Sequence, residues 1–222
     1  MWNGLPVVIF GTSGFAQETL CVIEDTNKQN YINQYDFIGY VSESVDDIGK
    51  SIGKYKIVAS DDTFDEFIEN YTEIGVVISI ASHNIKRKIF NKLSNMSKII
   101  FPNIVSPYCK IGDITTVKFG IGNIITAGCT LTCNVNIGNF NIININSTIG
   151  HDCLIDDFCV INPLSSISGN VHVCKNVLIG SGASIMQGVT INENSSIGLG
   201  AFIIKDVEEN STMICSPAKK IL

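Results

Sequence analysis

Aliphatic residues recur at strict intervals of six from residue 125 to residue 203, without a gap. The series is Ile125, Leu131, Ile137, Ile143, Ile149, Ile155, Ile161, Ile167, Val173, Ile179, Ile185, Ile191, Ile197 and Ile203. A small or β-branched residue follows each of them four positions later, with Asn141 as the exception. A period of six matches neither a helix nor a continuous strand, whose side-chain directions repeat every 3.6 and 2.0 residues. It predicts short strands separated by turns, with both kinds of residue pointing inward.

Three such strands would close a coil of eighteen residues. Each residue then lies beneath the one eighteen positions later, so that Ile149, Ile167 and Ile185 stack about 4.8 Å apart. The predicted fold of this half is a parallel β-prism with a core of stacked isoleucines. An earlier series has the same spacing but is shifted by two residues: Ile99, Val105, Ile111 and Val117. The offset between Val117 and Ile125 predicts an irregular first coil or a small excursion.

Before the repeats, buried strands alternate with helical segments. The predicted strands are Val7–Phe10, Phe37–Val41, Tyr55–Val58 and Val76–Ile80. The predicted helices run from the Gly11–Gly14 loop to about Thr26, from a cap at Asp61 or Asp62 through Phe64, Phe67 and Ile68, and along Ile85, Ile89 and Leu93. This alternation is typical of a small parallel α/β domain. We therefore expect such a domain over residues 1–100 and the prism with a short tail over residues 101–222.

Composition narrows the class of protein. Hydrophobic residues make up 45% and charged residues 16%, as in a well-buried globular protein. The net charge of −6 argues against a nucleic-acid surface. No apolar run reaches the roughly 18 residues of a membrane span, and Val7–Phe10 is too short for a signal peptide. We expect a cytoplasmic protein.

The eight cysteines do not indicate disulfides or a metal site. Cys129, Cys153 and Cys159 occupy the small inward register, and Cys109 holds the same place in the earlier series. The chain has no CxxC pair, which zinc and redox sites often use. These thiols are therefore interpreted as small buried hydrophobic groups.

Several hexapeptides carry a resemblance to a known family. Ile-Gly-Asn at 137–139, Ile-Gly-Ser-Gly-Ala at 179–183 and Ile-Gly-Leu-Gly-Ala at 197–201 resemble the hexapeptide-repeat acyltransferases. The domain order, Asn144, His151-Asp152-Cys153 and the Pro-Ala-Lys tail at 217–219 resemble one branch in particular. That branch includes sialic acid O-acetyltransferases and bacterial N-acetyltransferases acting on nucleotide-linked 4-amino-4,6-dideoxy sugars.

The resemblance covers essentially the whole chain and implies its architecture. The prism would be a left-handed β-helix, and the N-terminal domain would be Rossmann-like and hold the sugar nucleotide. Three chains would form a homotrimer with acetyl-CoA clefts between subunits. The implied activity is acetyl transfer to a nucleotide-linked amino sugar, in surface polysaccharide biosynthesis.

His151 is the strongest candidate for catalysis. It lies two residues after the inward Ile149, at a prism corner, and Gly169 stands one coil later. Because Gly169 has no side chain, the register predicts empty space above the imidazole for the acetyl group, and a glycine N–H near the thioester oxygen. A corner histidine can also be a solvated turn residue. The resemblance implies that His151 is the general base, that Asp152 orients it and that Asn144 contacts the substrate.

The acceptor is expected to bind at the N-terminal domain. The Gly11–Gly14 loop offers backbone N–H groups at a helix N-terminus, where anions bind. The second strand ends in Ser42 and Glu43, near where a dinucleotide fold places an acid on the ribose. A plain strand-to-helix turn is the alternative, because the full glycine fingerprint is absent. We expect Gly11, Gly14, Ser42 and Glu43 to bind the sugar nucleotide, although the resembling enzymes often carry Asp-Asp at the last two positions.

Acetyl-CoA is expected to lie along the prism toward its C-terminal coils. The candidate contacts are Gly169, Ser181, Gly198, Lys205 and Lys219, with the lysines or Lys220 near the phosphates. Ordinary tail charges are the alternative for these lysines. We expect acetyl-CoA as the co-substrate and no metal.

Four other functions compete with this hypothesis. Sugar O-acetylation needs the same base and thioester, so the catalytic corner does not separate it from N-acetylation. A γ-type carbonic anhydrase needs three converging histidines, whereas His151 and His172 do not share a face. A binding scaffold would not need a base at a corner. A dehydrogenase would need a complete glycine fingerprint and a Tyr-x-x-x-Lys motif.

Three further positions stay open. His83 lines the acceptor cleft or lies on the surface, and His172 is interpreted as an exposed flanking residue. Val160 stands where the amino-sugar branch often has a second histidine.

Overall fold

The computed structural model describes residues 4–30 and 32–215. The chain divides into two compact units. One runs to Pro107 and includes Ile121–Ile124; the other contains Tyr108–Gly120 and the chain from Ile125 onward. Among the described residues, no helix has the length and apolar character that a membrane crossing requires.

The first unit is the predicted α/β domain. Its elements are β1 (Leu5–Phe10), α1 (Gly14–Gln29), β2 (Tyr35–Ser42), β3 (Ser51–Ile52), β4 (Tyr55–Ser60), α2 (Phe64–Phe67), β5 (Ile74–Ile78), α3 (His83–Leu93), β6 (Ile99–Ile100) and β7 (Ile104–Val105). Two short 3₁₀ helices, Val45–Asp47 and Ile68–Asn70, lie between them. The sheet order is β3-β4-β2-β1-β5-β6, parallel except for the β3–β4 hairpin. Strand β1 pairs in parallel with β2 on one side and β5 on the other, so the order in which strands are added to the sheet reverses beside β1.

One local prediction in this unit is wrong. Helix α2 is capped by Thr63, not by Asp61 or Asp62. The Thr63 Oγ1 accepts from the Ser60 N–H at 3.0 Å, and the N-cap lies one or two residues later than expected. The helix predicted along Ile85, Ile89 and Leu93 is confirmed as α3, in which Ile89 and Leu93 are buried and Ile85 is 47% exposed.

The second unit is a stack of two-residue strands. They are β8 (Lys110–Ile111), β9 (Lys118–Phe119), β10 (Ile124–Ile125), β11 (Thr130–Leu131), β12 (Asn136–Ile137), β13 (Ile142–Ile143), β14 (Thr148–Ile149), β15 (Leu154–Ile155), β16 (Val160–Ile161), β17 (Ser166–Ile167), β18 (His172–Val173), β19 (Leu178–Ile179), β20 (Ser184–Ile185), β21 (Thr190–Ile191), β22 (Ser196–Ile197), β23 (Phe202–Ile203) and β24 (Thr212–Met213). The pairing is parallel, and Ile149 aligns with Ile167 and Ile167 with Ile185. The eighteen-residue coil is therefore confirmed, and the fold is a left-handed parallel β-helix.

Three parallel sheets form the faces of this prism. In this unit they run β24-β22-β19-β16-β13-β10, β23-β20-β17-β14-β11-β8 and β21-β18-β15-β12-β9. Each corner between two faces is a column of residues eighteen positions apart. We name the three corners after Asn144, His151 and Asp156, which follow β13, β14 and β15 respectively.

The core of the prism contains both predicted registers. Every aliphatic residue of the six-residue series is at most 4% exposed, and the small residues between them are buried as well. The polar exception, Asn141, is fully buried, and its Oδ1 accepts from the Cys159 N–H at 2.7 Å. Burial raises the pKa of the Cys129 and Cys153 thiols, so both are neutral packing groups. All eight cysteines are free thiols.

The predicted position of the register offset is wrong. Ile111 aligns with Leu131, twenty residues later, whereas Phe119 aligns with Ile137, eighteen residues later. The two additional residues therefore lie before Phe119. They form a turn in which Asp113 Oδ1 accepts from the N–H and the hydroxyl of Thr115. As a result, Phe119 rather than Val117 takes the aliphatic position.

Candidate active site

His151 is held by one hydrogen bond to its side chain and one to its backbone. Its Nδ1 lies 2.8 Å from Asp152 Oδ2, and its carbonyl accepts from the Asn170 N–H at 2.7 Å. The imidazole is 52% exposed, so it is both fixed and accessible. Asp152 has a φ of +59°, a left-handed corner conformation that Asp and Asn adopt more readily than other non-glycine residues. The same residue therefore turns the chain and orients the histidine.

A third residue, Asn134, completes this arrangement. It stands eighteen residues before Asp152, and its Nδ2 donates to Asp152 Oδ1 at 2.9 Å. The hydrogen bond with His151 is the main cause that lowers the pKa of the Asp152 carboxyl, and the hydrogen bond with Asn134 lowers it further. The carboxylate therefore stays charged, with one oxygen on each partner. The eighteen-residue period places Asn134 one coil before Asp152, so the sequence contains the signal for this contact.

The surroundings of Gly169 differ from those predicted. A Cβ at this position would overlap the imidazole, 2.5 Å from Cε1 and 2.9 Å from Cδ2 of His151. The space beneath Gly169 is thus filled by the imidazole ring and is not empty, which corrects the expectation of a vacant acetyl site there. The ring leans along the prism axis because glycine alone leaves room for it.

The His151 corner continues toward the C-terminal coils. Register pairing of β14, β17, β20 and β23 places Gly169, Gln187 and Lys205 successively above His151. Three spacings of about 4.8 Å put Lys205 about 14 Å along the prism from the histidine. Lys205 is exposed. Lys205 therefore lies at the same corner as His151, at a distance that an extended ligand bound along this corner could span.

Asn144, Ser181 and Gly198 lie at another corner. Pairing of β13, β16, β19 and β22 places Gly198 in the column of Asn144, with Ser181 beside it. The Asn144 Oδ1 accepts from the Ile145 N–H at 3.0 Å, and its Nδ2 has no acceptor among residues 4–30 and 32–215. Within one chain, the structure therefore does not bring these three residues into the column of His151, Gly169 and Lys205.

The first unit has a cleft at the carboxyl ends of its central strands. A cavity of about 210 Å³ is lined by residues that follow β1, β2, β4 and β5, together with one face of α3: Phe10, Gly11, Thr12, Val41, Ser42, Glu43, Asp61, Ile80, Ile85, Lys88 and Ile89. Ligands of open α/β sheets bind at this edge, where the strand order reverses. Gly11, Ser42 and Glu43 were predicted from the sequence to bind there together.

Individual residues of this cleft differ in what they offer. Gly11 has a φ of +118°, and a Cβ there would lie 2.9 Å from the Ser79 carbonyl oxygen, so the position requires glycine. The Ser42 hydroxyl already donates to Asp47 at 2.7 Å, whereas Glu43 is exposed. Burial raises the pKa of Asp61, and the neighbouring Glu43 adds to the shift while Lys92 opposes it.

Gly14 is not among the residues that line the cleft. It is the first residue of α1, and a Cβ there would meet nothing within 4 Å. In the described chain, the N–H groups of Ser13, Gly14 and Phe15 have no hydrogen-bond acceptor, as expected at a helix N-terminus.

The remaining candidates lie elsewhere. His83 is the first residue of α3 and does not line the cleft. Burial is the main cause that lowers its pKa, and the positive charges of Arg87 and Lys86 lower it further. Val160 is buried in β16. His172 is 38% exposed and pairs with Asp156 at 3.2 Å. Lys219, Lys220 and the Pro-Ala-Lys tail lie outside the described residues.

Comparisons with known proteins fit this geometry. Residues 6–93 match the family model of the PglD N-terminal domain. No curated protein matches the sequence. The matched segment includes every residue that lines the cleft.

Solved structures match both units together. A histidine-to-asparagine variant of perosamine N-acetyltransferase from Caulobacter crescentus, in complex with CoA and GDP-perosamine, has a TM-score of 0.84 at 22% identity, over 96% of this chain and 95% of that one. The acetyltransferase domain of PglB from Neisseria gonorrhoeae, in complex with acetyl coenzyme A, has a TM-score of 0.81 at 20% identity, over 98% and 100%. WeeI from Acinetobacter baumannii has a TM-score of 0.81 at 24% identity, over 97% and 99%. At these identities the likeness shows a common fold, and it confirms the two-part architecture predicted from the sequence.

Proposed function

We propose that this protein is an acetyl-CoA-dependent N-acetyltransferase acting on the amino group of a nucleotide-linked sugar, with His151 as the general base. The observation that carries the proposal is the Asn134–Asp152–His151 chain of hydrogen bonds beneath Gly169. Two of the three similar structures contain CoA or acetyl-CoA, and one of these also contains GDP-perosamine, a nucleotide-linked amino sugar. These substrates would place the activity in the cytoplasm.

The contact with Asp152 selects the reactive tautomer. When Nδ1–H of His151 donates to the charged Asp152 oxygen, Nε2 carries a lone pair and is the basic atom. The amine nitrogen attacks the thioester carbonyl carbon, and Nε2 takes its proton. The carbon–sulfur bond then breaks and the thiolate of CoA leaves, taking up the proton from the imidazolium.

The oxyanion of this step needs a donor near the base. Gly169 lies against the Nε2 edge of the ring, and in the described residues its N–H has no acceptor. We assign this N–H to the developing oxyanion. Because both groups belong to one rigid column, no rearrangement of the backbone is needed.

Cofactor and acceptor would be held by separate parts of the chain. We assign the pantetheine arm to the His151 corner, with Lys205 near the phosphates, and the nucleotide to the cleft lined by Gly11, Ser42 and Glu43. Glu43 suits the ribose hydroxyls, and the free N–H groups at the start of α1 suit an anionic phosphate.

We also propose a homotrimer. Asn144, Ser181 and Gly198 lie at a different corner from His151, so a cleft that uses both corners needs a second copy of the chain. Closed cyclic symmetry would repeat such a cleft three times.

The test is a thiol-release assay with acetyl-CoA and a panel of nucleotide-linked 4-amino-4,6-dideoxy sugars, GDP-perosamine among them. We expect turnover with at least one amine, and an N-acetyl product by mass spectrometry and NMR. His151→Asn should bind both substrates yet lose kcat by at least about a hundredfold, within the range of general base catalysis. Because the His151 side chain is half exposed, the substitution should change the free energy of unfolding of the protein by no more than about 0.5 kcal/mol.

Sugar O-acetylation is the second candidate, because the same base and thioester serve a hydroxyl. Free sialic acid belongs in the panel for this reason. Turnover of sialic acid with no amine accepted would replace the proposal, and near-normal turnover by His151→Asn would remove His151 as the base.

A further inference from the structure

Three metal-ligating side chains meet at the Asp156 corner of the prism, away from His151. His172 Nε2 lies 3.2 Å from Asp156 Oδ2 and 3.8 Å from Cys174 Sγ. The three ligand atoms all lie within 4.8 Å of one another. The proposed acetyl transfer uses none of them.

We propose that Asp156, His172 and Cys174 form a binding site for a divalent transition metal of the zinc class. A carboxylate, an imidazole and a thiolate are each common zinc ligands. Tetrahedral zinc, with bonds of about 2.0 Å to nitrogen and oxygen and about 2.3 Å to sulfur, separates nitrogen from oxygen by about 3.3 Å and nitrogen from sulfur by about 3.6 Å. The two separations observed from His172 Nε2, 3.2 Å to oxygen and 3.8 Å to sulfur, are close to these values.

The prism holds the three residues in place before any ion arrives. Asp156 and Cys174 are eighteen residues apart and so occupy one corner on successive coils. Their backbone N–H groups donate to Val173 at 2.8 Å and to Ile191 at 2.9 Å, and the N–H of His172 donates to Val189 at 3.1 Å. Metal binding therefore requires only side-chain adjustment, and the ion would join two neighbouring coils.

The surroundings favour a cation with one open position. Asp156 and Glu193 place negative charge beside the Cys174 thiol. Cys174 is 8% exposed and Asp156 25%, whereas His172 is 38% exposed, so solvent reaches the imidazole side. Three protein ligands and a water would complete four-coordination. Sequence motifs did not reveal the site because its ligands come from two coils and include no CxxC or histidine pair.

Cobalt(II) is the probe, because it reports thiolate ligation and tetrahedral geometry in its absorption spectrum. In the test, the metal-free full chain is to be titrated with cobalt(II) under reducing conditions, and zinc is then to be added. We expect one cobalt per chain, a near-ultraviolet thiolate-to-cobalt charge-transfer band, intense visible bands, and displacement by zinc.

Variants distinguish this site from other thiols. Cys174→Ser should remove the charge-transfer band, and His172→Gln should weaken cobalt binding by at least about tenfold. Cys215→Ser, which alters an exposed thiol outside the cluster, should leave the spectrum unchanged. If Cys174→Ser fails to fold, Asp156→Asn and His172→Gln, both with partly exposed side chains, carry the test.

Thermal unfolding provides a second measurement. Zinc should raise the Tm of the wild type and leave that of Asp156→Asn unchanged, because the ion would join two coils only when all three ligands are present. Absence of a charge-transfer band in the wild type would overturn the proposal. So would a band that survives in Cys174→Ser and disappears in Cys215→Ser.

Discussion

At the scale of single residues, the candidate site depends on the imidazole of His151 and on the lack of a side chain at Gly169. The imidazole occupies the volume that a side chain at Gly169 would fill. Asp152 fixes the ring from Nδ1, and the glycine leaves room for its Nε2 edge. Orientation of the base is therefore shared by two successive coils of the prism.

We expect Gly169→Ala to lower kcat by at least about tenfold through displacement of His151. The position has ordinary backbone torsion, so the methyl group acts sterically and not through backbone strain. The measurement is kcat in a double-variant cycle with His151→Ala. In the His151→Ala background, the same alanine should cost nothing further. Equal losses in both backgrounds would mean that Gly169 acts on the substrate and not on the imidazole.

Asn134 is expected to position Asp152. Asn134 has a φ of +54°, so Asn134→Gly removes the amide and keeps the left-handed backbone. Because that amide donates to the charged carboxylate, its loss should raise the pKa of Asp152, as measured by NMR titration, and lower kcat by about tenfold. The pKa of this carboxyl is lowered in the folded protein, so the orienting charge is present at neutral pH and is lost as pH falls through the lowered value.

The matched control for this prediction is Asn170→Gly. Asn170 occupies the same corner position as Asn134, with a φ of +57°, and its backbone N–H donates to the His151 carbonyl. We expect kcat and the pKa of Asp152 to be unchanged. A loss equal to that of Asn134→Gly would show that the corner backbone is responsible, and not the amide of Asn134.

At the scale of elements, the two-residue strands are stable only as stacks. A pair of residues cannot form an independent strand, but each strand places one side chain in a continuous core and adds its backbone to a ladder that runs along the prism. Stability therefore depends on the inward residue of each strand far more than on the outward one.

Strand β17 offers a test within adjacent residues. Ile167 is 1% exposed between Ile149 and Ile185, whereas Ser166 points outward. We expect Ile167→Ala to lower the free energy of unfolding by about 2–5 kcal/mol, because it leaves a cavity in a rigid stack. Ser166→Ala should stay within about 0.5 kcal/mol. Urea unfolding of both variants provides the measurement, and similar values for the two would contradict the ladder of core residues.

How far the sequence predicts this molecule follows from its periodicity. The six-residue pattern predicted the prism, its register and its buried thiols, because burial of one side chain per strand is the dominant constraint. It misplaced the offset, because the Asp113–Thr115 turn is set by local hydrogen bonds that leave no mark in the aliphatic series. The direction of the His151 ring was likewise missed, since a rotamer depends on neighbours that hydrophobicity does not encode.

At the scale of the whole molecule, the candidate residues fall on two corners of each prism. His151, Gly169 and Lys205 belong to one column, whereas Asn144, Gly198 and the neighbouring Ser181 lie at another corner. If both sets of residues serve acetyl transfer, as we propose, a single chain presents two half-sites. If the proposed trimer forms, light scattering should give the mass of three 24.1-kDa chains, about 72 kDa.

Mixed trimers would test whether each cleft draws on two chains. We expect His151→Ala and Asn144→Ala to be poorly active alone. The first variant lacks the proposed base, and the second lacks the amide at the other corner. When the two variants are coexpressed in equal amounts, random assembly gives about one quarter of the clefts an intact His151 from one chain and an intact Asn144 from its neighbour. Thiol release by the mixture should therefore recover to about one quarter of the wild-type rate. Mixing the purified trimers without exchange of subunits is the control and should recover nothing. If the coexpressed mixture also stays inactive while its mass is that of a trimer, both residues act within one chain, and the cleft between subunits is excluded.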